Sequence, residues 1–149
     1  MTTHAMTESV RLVMTERPVT VRPETTVAEV YALMEERGIA ACPVVTPAGE
    51  LRGIVSRVDL LRAFRPSKEL SVLTPEAAGR QSVREVMRFG VVTLEPDDPL
   101  VAALDLLVDT RFHALPVVQR GPGPPRVVGI VTQTDVVRHL MRPAVATQA

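Results

Sequence analysis

The chain has 149 residues, of which 46% are hydrophobic and 23% are charged, and its formal net charge is +0. This composition is typical of a globular protein, and the length suits one compact domain or two small domains that share a core. Because 17 basic residues balance 17 acidic ones, a nucleic-acid partner is not expected. No apolar run is long enough to cross a bilayer and the polar start MTTHAMTESV is not a signal peptide, so we expect a cytoplasmic protein without a membrane partner.

Cysteine and histidine are too sparse for a disulfide framework or a metal site. Cys42 is the single cysteine, and it lies in the apolar run AACPVV, where a small buried residue is expected. The histidines, His4, His113 and His139, do not have the spacing of metal ligands. We therefore expect neither a bound metal nor a reactive thiol.

The first half of the chain predicts a helical turn, a short strand, a helix, a β-hairpin and a closing helix. In order, their segments are SVRLVM, PVTV, VAEVYALMEER, the pair AACPVV and LRGIVS, and VDLLRAF. Thr26 begins the long helix through a capping box with Glu29, and Gly38 ends it. The turn signal PAGE separates the two strands of the hairpin.

The second half predicts the same elements in the same order. Their segments are SVREVM, VVTL, LVAALDLLVD, the pair ALPVV and RVVGIVT, and TDVVRHLM. Ser82 is expected to form a capping box with Glu85, and Asp98 is expected to be the N-cap of the helix that follows.

An internal duplication explains this repetition. With Ser9 aligned on Ser82, 13 of 37 positions are identical, and GIVSRVDLLRAF later becomes GIVTQTDVVRHL. Each copy therefore has the order β-α-β-β-α, and a unit of this size buries little alone, so we expect the two copies to pack together. The predicted domains are residues 9–64 and 82–142, joined by a polar linker, residues 65–81, at the surface.

A hydroxyl residue stands three positions before an aspartate in both copies, as Ser56 and Asp59 and as Thr132 and Asp135. This spacing has two interpretations. The pair can form a capping box, in which the hydroxyl accepts from a backbone N–H and the carboxylate lies near the helix N-terminus. Alternatively, the helix N-terminus binds a phosphate and the aspartate accepts hydrogen bonds from ribose hydroxyls.

Both copies carry the pattern Gly-h-h-[Ser/Thr]-x-x-Asp after a run of the type ALPVV, where h is an apolar residue. In these motifs the chain resembles a tandem pair of cystathionine-β-synthase-type (CBS) domains, a Bateman module, from about Ser9 to Met141. The resemblance implies an α/β (α+β) fold in which two β-α-β-β-α repeats pack about a pseudo-two-fold axis, with clefts between them. It also implies a stand-alone pair rather than part of a larger enzyme or channel.

The resemblance implies a regulatory module that binds an adenosyl ligand and acts on a partner protein in signal transduction. The implied ligands are AMP, ADP or ATP, and in some members S-adenosylmethionine or a dinucleotide such as NAD, with no further cofactor required. Relatives pair through helical faces, so a homodimer formed through VAEVYALMEER and LVAALDLLVDT is expected. The effector protein is not identified by the sequence.

The family's site residues are transferred position by position, with the aspartate holding the ribose and the hydroxyl side facing phosphate. The residues of one cleft are Ser56 and Asp59, with Val91, Val92, Phe112 and Pro116 facing the base. The residues of the other cleft are Thr132, Thr134 and Asp135, with Val19, Ile39 and Pro43 facing the base. For the apolar residues a plain core role is the alternative.

A basic residue commonly precedes the proline of PVV by three positions in nucleotide-binding relatives. His113 stands there in the second copy and Ala40 in the first, while Arg57 adds a cation inside the first motif and Gln133 is neutral. The Asp59 cleft is therefore expected to bind anions better. The alternatives are that Arg57 is a solvated helix residue and that His113 is a partly exposed residue at a strand end.

Two other classes of function are weighed against ligand sensing. A structural dimerisation or adaptor module would keep the fold with vestigial clefts, although the intact Asp59 and Asp135 argue against it. An enzyme is not expected, because the chain has no Ser-His-Asp or Cys-His arrangement, no metal spacing and no phosphate loop ending in Gly-Lys-Ser/Thr.

Overall fold

A computed structural model describes residues 7–65, 74–110 and 112–148, with side chains described as far as Arg142. The chain divides into two compact units. The first unit is Val19–Val91, and the second unit consists of Met1–Pro18 with Val92–Ala149. Each unit therefore combines most of one sequence copy with the leading segment of the other copy.

Both units contain helices and strands. In chain order, the strands are β1 Thr15–Glu16, β2 Ala41–Val45, β3 Leu51–Ser56, β4 Ala114–Gln119 and β5 Arg126–Thr132. The α-helices are α1 Val27–Arg37, α2 Arg57–Leu60, α3 Pro75–Gly79, α4 Leu100–Asp109 and α5 Gln133–Gln148. Short 3-10 turns cover Val10–Leu12, Leu61–Phe64 and Val83–Glu85. No described helix combines the length and the apolar character that crossing a bilayer requires.

The sheet of the first unit is built on the antiparallel hairpin of β2 and β3. Val21 forms a parallel bridge with Val44 on one side of the hairpin, and Arg88 forms an antiparallel bridge with Ile54 on the other. The predicted strand PVTV is thus reduced to a single bridge at Val21. Arg88 belongs to the leading segment of the second sequence copy, and it lies at the edge of the first copy's hairpin.

Helix α1 packs its apolar stripe into the core of the first unit, as its pattern predicts. Val27, Val30 and Met34 are buried. The Thr26 Oγ1 accepts a hydrogen bond from the Glu29 N–H at 3.1 Å, and Gly38 ends the helix with a φ of 64°. Gly38 ends α1 as expected, and Thr26 is its N-cap, because side-chain capping and a left-handed glycine satisfy backbone groups that a helix leaves unpaired. The predicted capping box is only half formed, since the Glu29 Oε1 accepts from the Thr26 hydroxyl at 3.0 Å rather than from the Thr26 N–H.

The segment between the two sequence copies is only partly a surface linker. Residues 66–73 of the predicted linker lie outside the described residues. Within the remainder, α3 brings Ala78 to full burial in the core of the first unit. A Cβ placed on Gly79 would come within 3.1 Å of the Ala28 Cβ, so α3 packs closely against α1.

The sheet of the second unit has the same pattern, but its edge is a two-residue strand, β1, where the first unit has a single bridge. The hairpin of β4 and β5 is antiparallel, and Leu94 forms a parallel bridge with Val117. Strand β1 pairs with β5 in an antiparallel register that places Thr15 opposite Ile130. The core cluster of this unit lies between the sheet and the helices α4 and α5, and its fully buried residues include Leu100, Leu115 and Val131.

Two predicted caps are wrong. Ser82 makes no side-chain cap, because its backbone pairs with Thr26 in an antiparallel bridge. The N-cap of α4 is Pro99 rather than Asp98, because the Asp98 carboxylate turns back to accept the Glu95 N–H at 2.8 Å.

Candidate functional site: the two Ser/Thr-x-x-Asp motifs

The first motif forms a complete capping box at the start of α2. The Ser56 Oγ accepts a hydrogen bond from the Asp59 N–H at 3.3 Å. In return, the Asp59 Oδ2 accepts from the Ser56 N–H at 2.8 Å and from the Ser56 hydroxyl at 2.9 Å. The capping interpretation of this motif is therefore confirmed.

Two arginines occupy the other oxygen of the Asp59 carboxylate. The Arg88 Nε donates to the Asp59 Oδ1 at 3.1 Å, and the Arg62 Nη2 lies 3.6 Å from the same oxygen. Asp59 has 0% of its surface exposed, so this carboxylate is held in the protein interior by charged partners. A buried carboxylate requires such partners, because removing its hydration without them is very costly.

The second motif forms the same reciprocal pair at the start of α5, but no arginine of the described residues contacts its aspartate. The Asp135 Oδ2 accepts from the Thr132 N–H at 2.9 Å, and the Asp135 N–H donates to the Thr132 Oγ1 at 3.2 Å. Asp135 is only partly buried. Within the described residues its Oδ1 has no hydrogen-bond partner, so one carboxylate oxygen is available to a donor.

A cavity of about 120 Å³ opens beside Asp135. Its lining residues are Leu12, Val13, Asp135, Arg138, His139 and Arg142. The His139 Nε2 lies 2.6 Å from the Glu8 Oε2. In the part of the chain that the structure describes, the guanidinium groups of Arg138 and Arg142 form no ion pair. The cavity therefore offers a carboxylate oxygen and two cationic groups.

In each unit, the residue three positions before the proline of PVV is joined to the motif by a backbone hydrogen bond. The Ala40 carbonyl accepts the Arg57 N–H at 3.0 Å in the first unit, and the His113 carbonyl accepts the Gln133 N–H at 3.2 Å in the second. The structure thus places the His113 backbone beside the second motif, and the role of its side chain in the Asp59 cleft stays a prediction. The side chains of Ala40 and His113 are exposed.

Arg57 is engaged away from Asp59. Its Nη1 lies 2.7 Å from the Glu35 Oε1, and its Nη2 donates to the Met34 carbonyl at 3.5 Å. Both side chains of the Arg57–Glu35 pair are about half exposed, so the pair is a surface ion pair at the end of α1. An exposed pair of this kind adds little stability, and Arg57 could exchange Glu35 for an anionic ligand at small cost.

The remaining predicted residues are divided between the two units. Val19 and Ile39 are partly buried against the core of the first unit, and Val92 and Phe112 against that of the second. Pro43 and Pro116 are buried, Val91 is partly buried, and Thr134 is exposed. Each unit thus combines one motif with apolar residues that the resemblance assigned to the other cleft, and the two composite clefts stay predictions.

Sequence reasoning missed the arginines at the two motifs. The repeat contains a signal for Arg62 and Arg138, since the two arginines recur 76 positions apart, but none for Arg88, whose counterpart 73 positions earlier is Thr15. Only the three-dimensional structure shows that Arg88 reaches the Asp59 carboxylate.

Cys42 is buried in β2, as predicted. Burial raises the pKa of the Cys42 thiol to about 11, so the thiol is protonated at neutral pH and is a poor nucleophile. Among the described residues, no three His, Cys, Asp or Glu side chains are grouped so that they could hold a metal ion.

The chain belongs to the CBS domain family. The family pattern matches residues 9–66 and 83–142, which correspond to the two copies of the repeat. The chain is a tandem pair of CBS domains, a Bateman module, and the paired sheets and helices described above are the fold of this family.

Solved structures and curated proteins show similar pairs. CBSX2 in complex with AMP is 27% identical with a TM-score of 0.75, over 95% of this chain and 99% of that one. The CBS domain pair of protein MJ0100, in complex with 5-methylthioadenosine and S-adenosyl-L-methionine, is 25% identical with a TM-score of 0.71, over 87% and 97%. The inosine-5'-monophosphate dehydrogenase of Mycobacterium leprae is 33% identical over 87% of this chain and 22% of its own length. The chain spans 14–24% of the first curated relatives it matches.

Proposed function

We propose that this CBS pair binds an adenosyl ligand and thereby regulates a partner protein. The observation that carries the proposal is the second motif, where a partly buried aspartate has one carboxylate oxygen without a partner among the described residues. This aspartate lies beside a cavity lined by Arg138 and Arg142, which form no ion pair in the same described part of the chain. A group that donates hydrogen bonds and also carries negative charge fits this combination. The ribose and phosphate of a nucleotide have both properties.

The similar structures support the choice of an adenosyl compound. CBSX2 holds AMP, and the MJ0100 pair holds 5-methylthioadenosine and S-adenosyl-L-methionine. These ligands share adenine and ribose and differ in charge at the 5′ position. AMP, ADP, ATP, S-adenosylmethionine and NAD are therefore the compounds to test.

In this proposal each polar group has one role. The Asp135 Oδ1 accepts hydrogen bonds from the ribose hydroxyls, while Oδ2 stays bound to the Thr132 N–H and holds the carboxylate in place. Arg138 and Arg142 attract the anionic part of the ligand. The cavity of about 120 Å³ is smaller than the roughly 300–1,000 Å³ of pockets that enclose whole ligands, so it takes the sugar or the phosphate and not the base.

The proposal describes a binding module and not a catalyst. Where the curated relatives are enzymes, the matched region is less than a quarter of the protein, which is consistent with a regulatory attachment. The homodimer and the effector protein stay predictions from the resemblance. Tyr31 on α1 and Val101 and Val108 on α4 are exposed apolar residues on the two helices expected to form the dimer.

Thermal unfolding in the presence of each candidate ligand tests the proposed function. A ligand that binds only the folded state stabilises it by RT ln(1 + [L]/Kd), about 2.7 kcal/mol at a hundredfold excess over Kd. We expect at least one of AMP, ADP, ATP, S-adenosylmethionine and NAD to raise Tm by several degrees. Asp135→Asn should abolish most of this increase.

Ribose 5-phosphate and adenine, added separately, are the matched controls, because each carries only part of the ligand. An unchanged Tm with all five compounds at millimolar concentration would contradict the proposal. That result would favour a structural dimerisation or adaptor module with vestigial clefts.

A further inference from the structure

The two motifs differ in what reaches the free oxygen of the aspartate. In both motifs the aspartate Oδ2 accepts from the backbone N–H of the hydroxyl residue, and at Asp59 it also accepts from the Ser56 hydroxyl. The Asp59 Oδ1 also accepts from Arg88, whereas the Asp135 Oδ1 has no partner among the described residues. The local capping geometry therefore does not distinguish the copies, and a residue outside the motif does.

Arg88 in the first unit and Thr15 in the second occupy equivalent positions. Arg88 bridges Ile54 in the first unit, and Thr15 pairs with Ile130 in the second. The repeat offsets match Arg88 to Thr15 and Ile54 to Ile130. In each unit an edge segment, the stretch of chain at the edge of the sheet, thus pairs with the strand that leads into the motif, β3 or β5. The pairing residue of the edge segment is an arginine in the first unit and a threonine, with its short hydroxyl side chain, in the second.

We infer that Arg88 is a specificity-determining residue that keeps the first motif closed, so that the chain takes one ligand, at Asp135. The inference rests on the proposed function. Asp59 is fully buried and accepts from Ser56 and Arg88, so ribose hydroxyls would have to displace a charged partner to reach it. A charge-assisted hydrogen bond is stronger than one from a neutral hydroxyl, and the exchange is therefore unfavourable.

Arg62 and Arg138 show the consequence of this difference. They are equivalent in the repeat, three residues after each aspartate. Arg62 lies 3.6 Å from the Asp59 Oδ1 and donates to the Val86 carbonyl at 3.3 Å. Arg138 instead lines the cavity beside Asp135. Arg62 thus completes an internal cluster with Asp59 and Arg88, whereas Arg138 is available to a ligand.

The inference reverses the order expected from the sequence, in which Arg57 and His113 made the Asp59 cleft the better anion site. Arg57 pairs with Glu35, and His113 joins the second motif through its carbonyl. Neither contact opens the Asp59 carboxylate.

Calorimetric titration with AMP tests the inference on single variants in which Thr15 or Arg88 is replaced by the residue at the equivalent position of the other unit. Wild type should bind one AMP per chain. Thr15→Arg should place a guanidinium against Asp135 and weaken binding at least about tenfold, as expected when a ligand must displace a charged hydrogen-bond partner. Thr15→Gln is the matched control, because it adds length without charge, and it should stay within about threefold of wild type. Arg88→Thr should gain a second AMP site.

Each outcome separates the inference from the proposed function. Two equal AMP sites in wild type, or equal affinities of Thr15→Arg and Thr15→Gln, would overturn the inference and leave the proposed function intact. No binding of AMP or of the other four compounds by wild type would overturn the proposed function itself. If Arg88→Thr does not fold, the wild-type stoichiometry and the Thr15 pair still decide the question.

Discussion

Asp59→Asn is expected to lower the free energy of unfolding by about 2–4 kcal/mol, because it disrupts a buried charged cluster together with a helix cap. Both carboxylate oxygens of Asp59 accept from donors, namely Arg88 on one side and Ser56 on the other. The amide of Asn replaces one of these acceptors by a donor, so an N–H group would face another donor in either orientation. The loss of the negative charge also leaves Arg88 and Arg62 without their shared partner.

Asp135→Asn is the matched control, because it makes the same chemical change at the equivalent position. The amide N–H can point toward the open Oδ1 position, while its oxygen still accepts from the Thr132 N–H. Only the charge near the helix N-terminus is lost, at a cost of roughly 0.3–1 kcal/mol. Urea unfolding followed by circular dichroism measures both values. Equal destabilisation by the two variants would contradict the description of Asp59 as a structural charge.

Gly53→Ala is expected to destabilise the protein by about 1–3 kcal/mol or more, through steric conflict with the backbone. A Cβ on Gly53 would lie 2.4 Å from the Arg88 carbonyl oxygen. The clash falls between two backbone hydrogen bonds that join Ile54 and Arg88, at 2.9 Å and 3.1 Å, so the edge segment would have to move away and weaken both. The same movement would withdraw Arg88 from Asp59.

Gly129→Ala is the counterpart at the same place in the second motif. Its Cβ would meet the Met14 Sδ at 2.8 Å and the Thr15 carbonyl oxygen at 3.1 Å. Because the nearest atom is on a flexible methionine side chain, the cost should be smaller than at Gly53. Urea unfolding of both variants tests this order, and a larger loss for Gly129→Ala would be inconsistent with the close approach at Gly53.

The close approaches at Gly53 and Gly129 explain why the motif begins with a glycine, which helix capping alone does not. A capping box requires only the hydroxyl residue and the acid. The structure shows that the glycine leaves room for the edge segment contributed by the other sequence copy.

Local signals predicted much of the fold. Helix α1 has the predicted bounds because local groups satisfy its terminal backbone. The Thr26 side chain accepts from the Glu29 N–H at the start, and the left-handed Gly38 donates its N–H to the Met34 carbonyl at the end. The two hairpins form around turns rich in Pro and Gly, and Cys42 is buried because its neighbours in β2 are apolar. Each of these features depends on residues close together in the sequence.

Long-range contacts account for most of what the sequence did not predict. Arg88 reaches Asp59 across 29 positions, through an edge segment that packs on the other copy of the repeat. Asp98 is the exception, because the contact that replaces its expected cap of α4 is local: its carboxylate accepts from the Glu95 N–H. Neither periodicity nor capping patterns contain this information, because several local partners are chemically acceptable and tertiary packing selects among them.

The most direct test of the account compares AMP with 2′,3′-dideoxy-AMP by calorimetry, because the two ligands differ only in the ribose hydroxyls assigned to Asp135. In wild type, loss of two hydrogen bonds to a charged acceptor should weaken binding by about 1.5–3 kcal/mol, roughly ten- to a hundredfold. In Asp135→Asn the difference between the two ligands should shrink to about threefold or less. Equal affinities of AMP and dideoxy-AMP for wild type, with AMP bound, would contradict the claim that Asp135 holds the ribose.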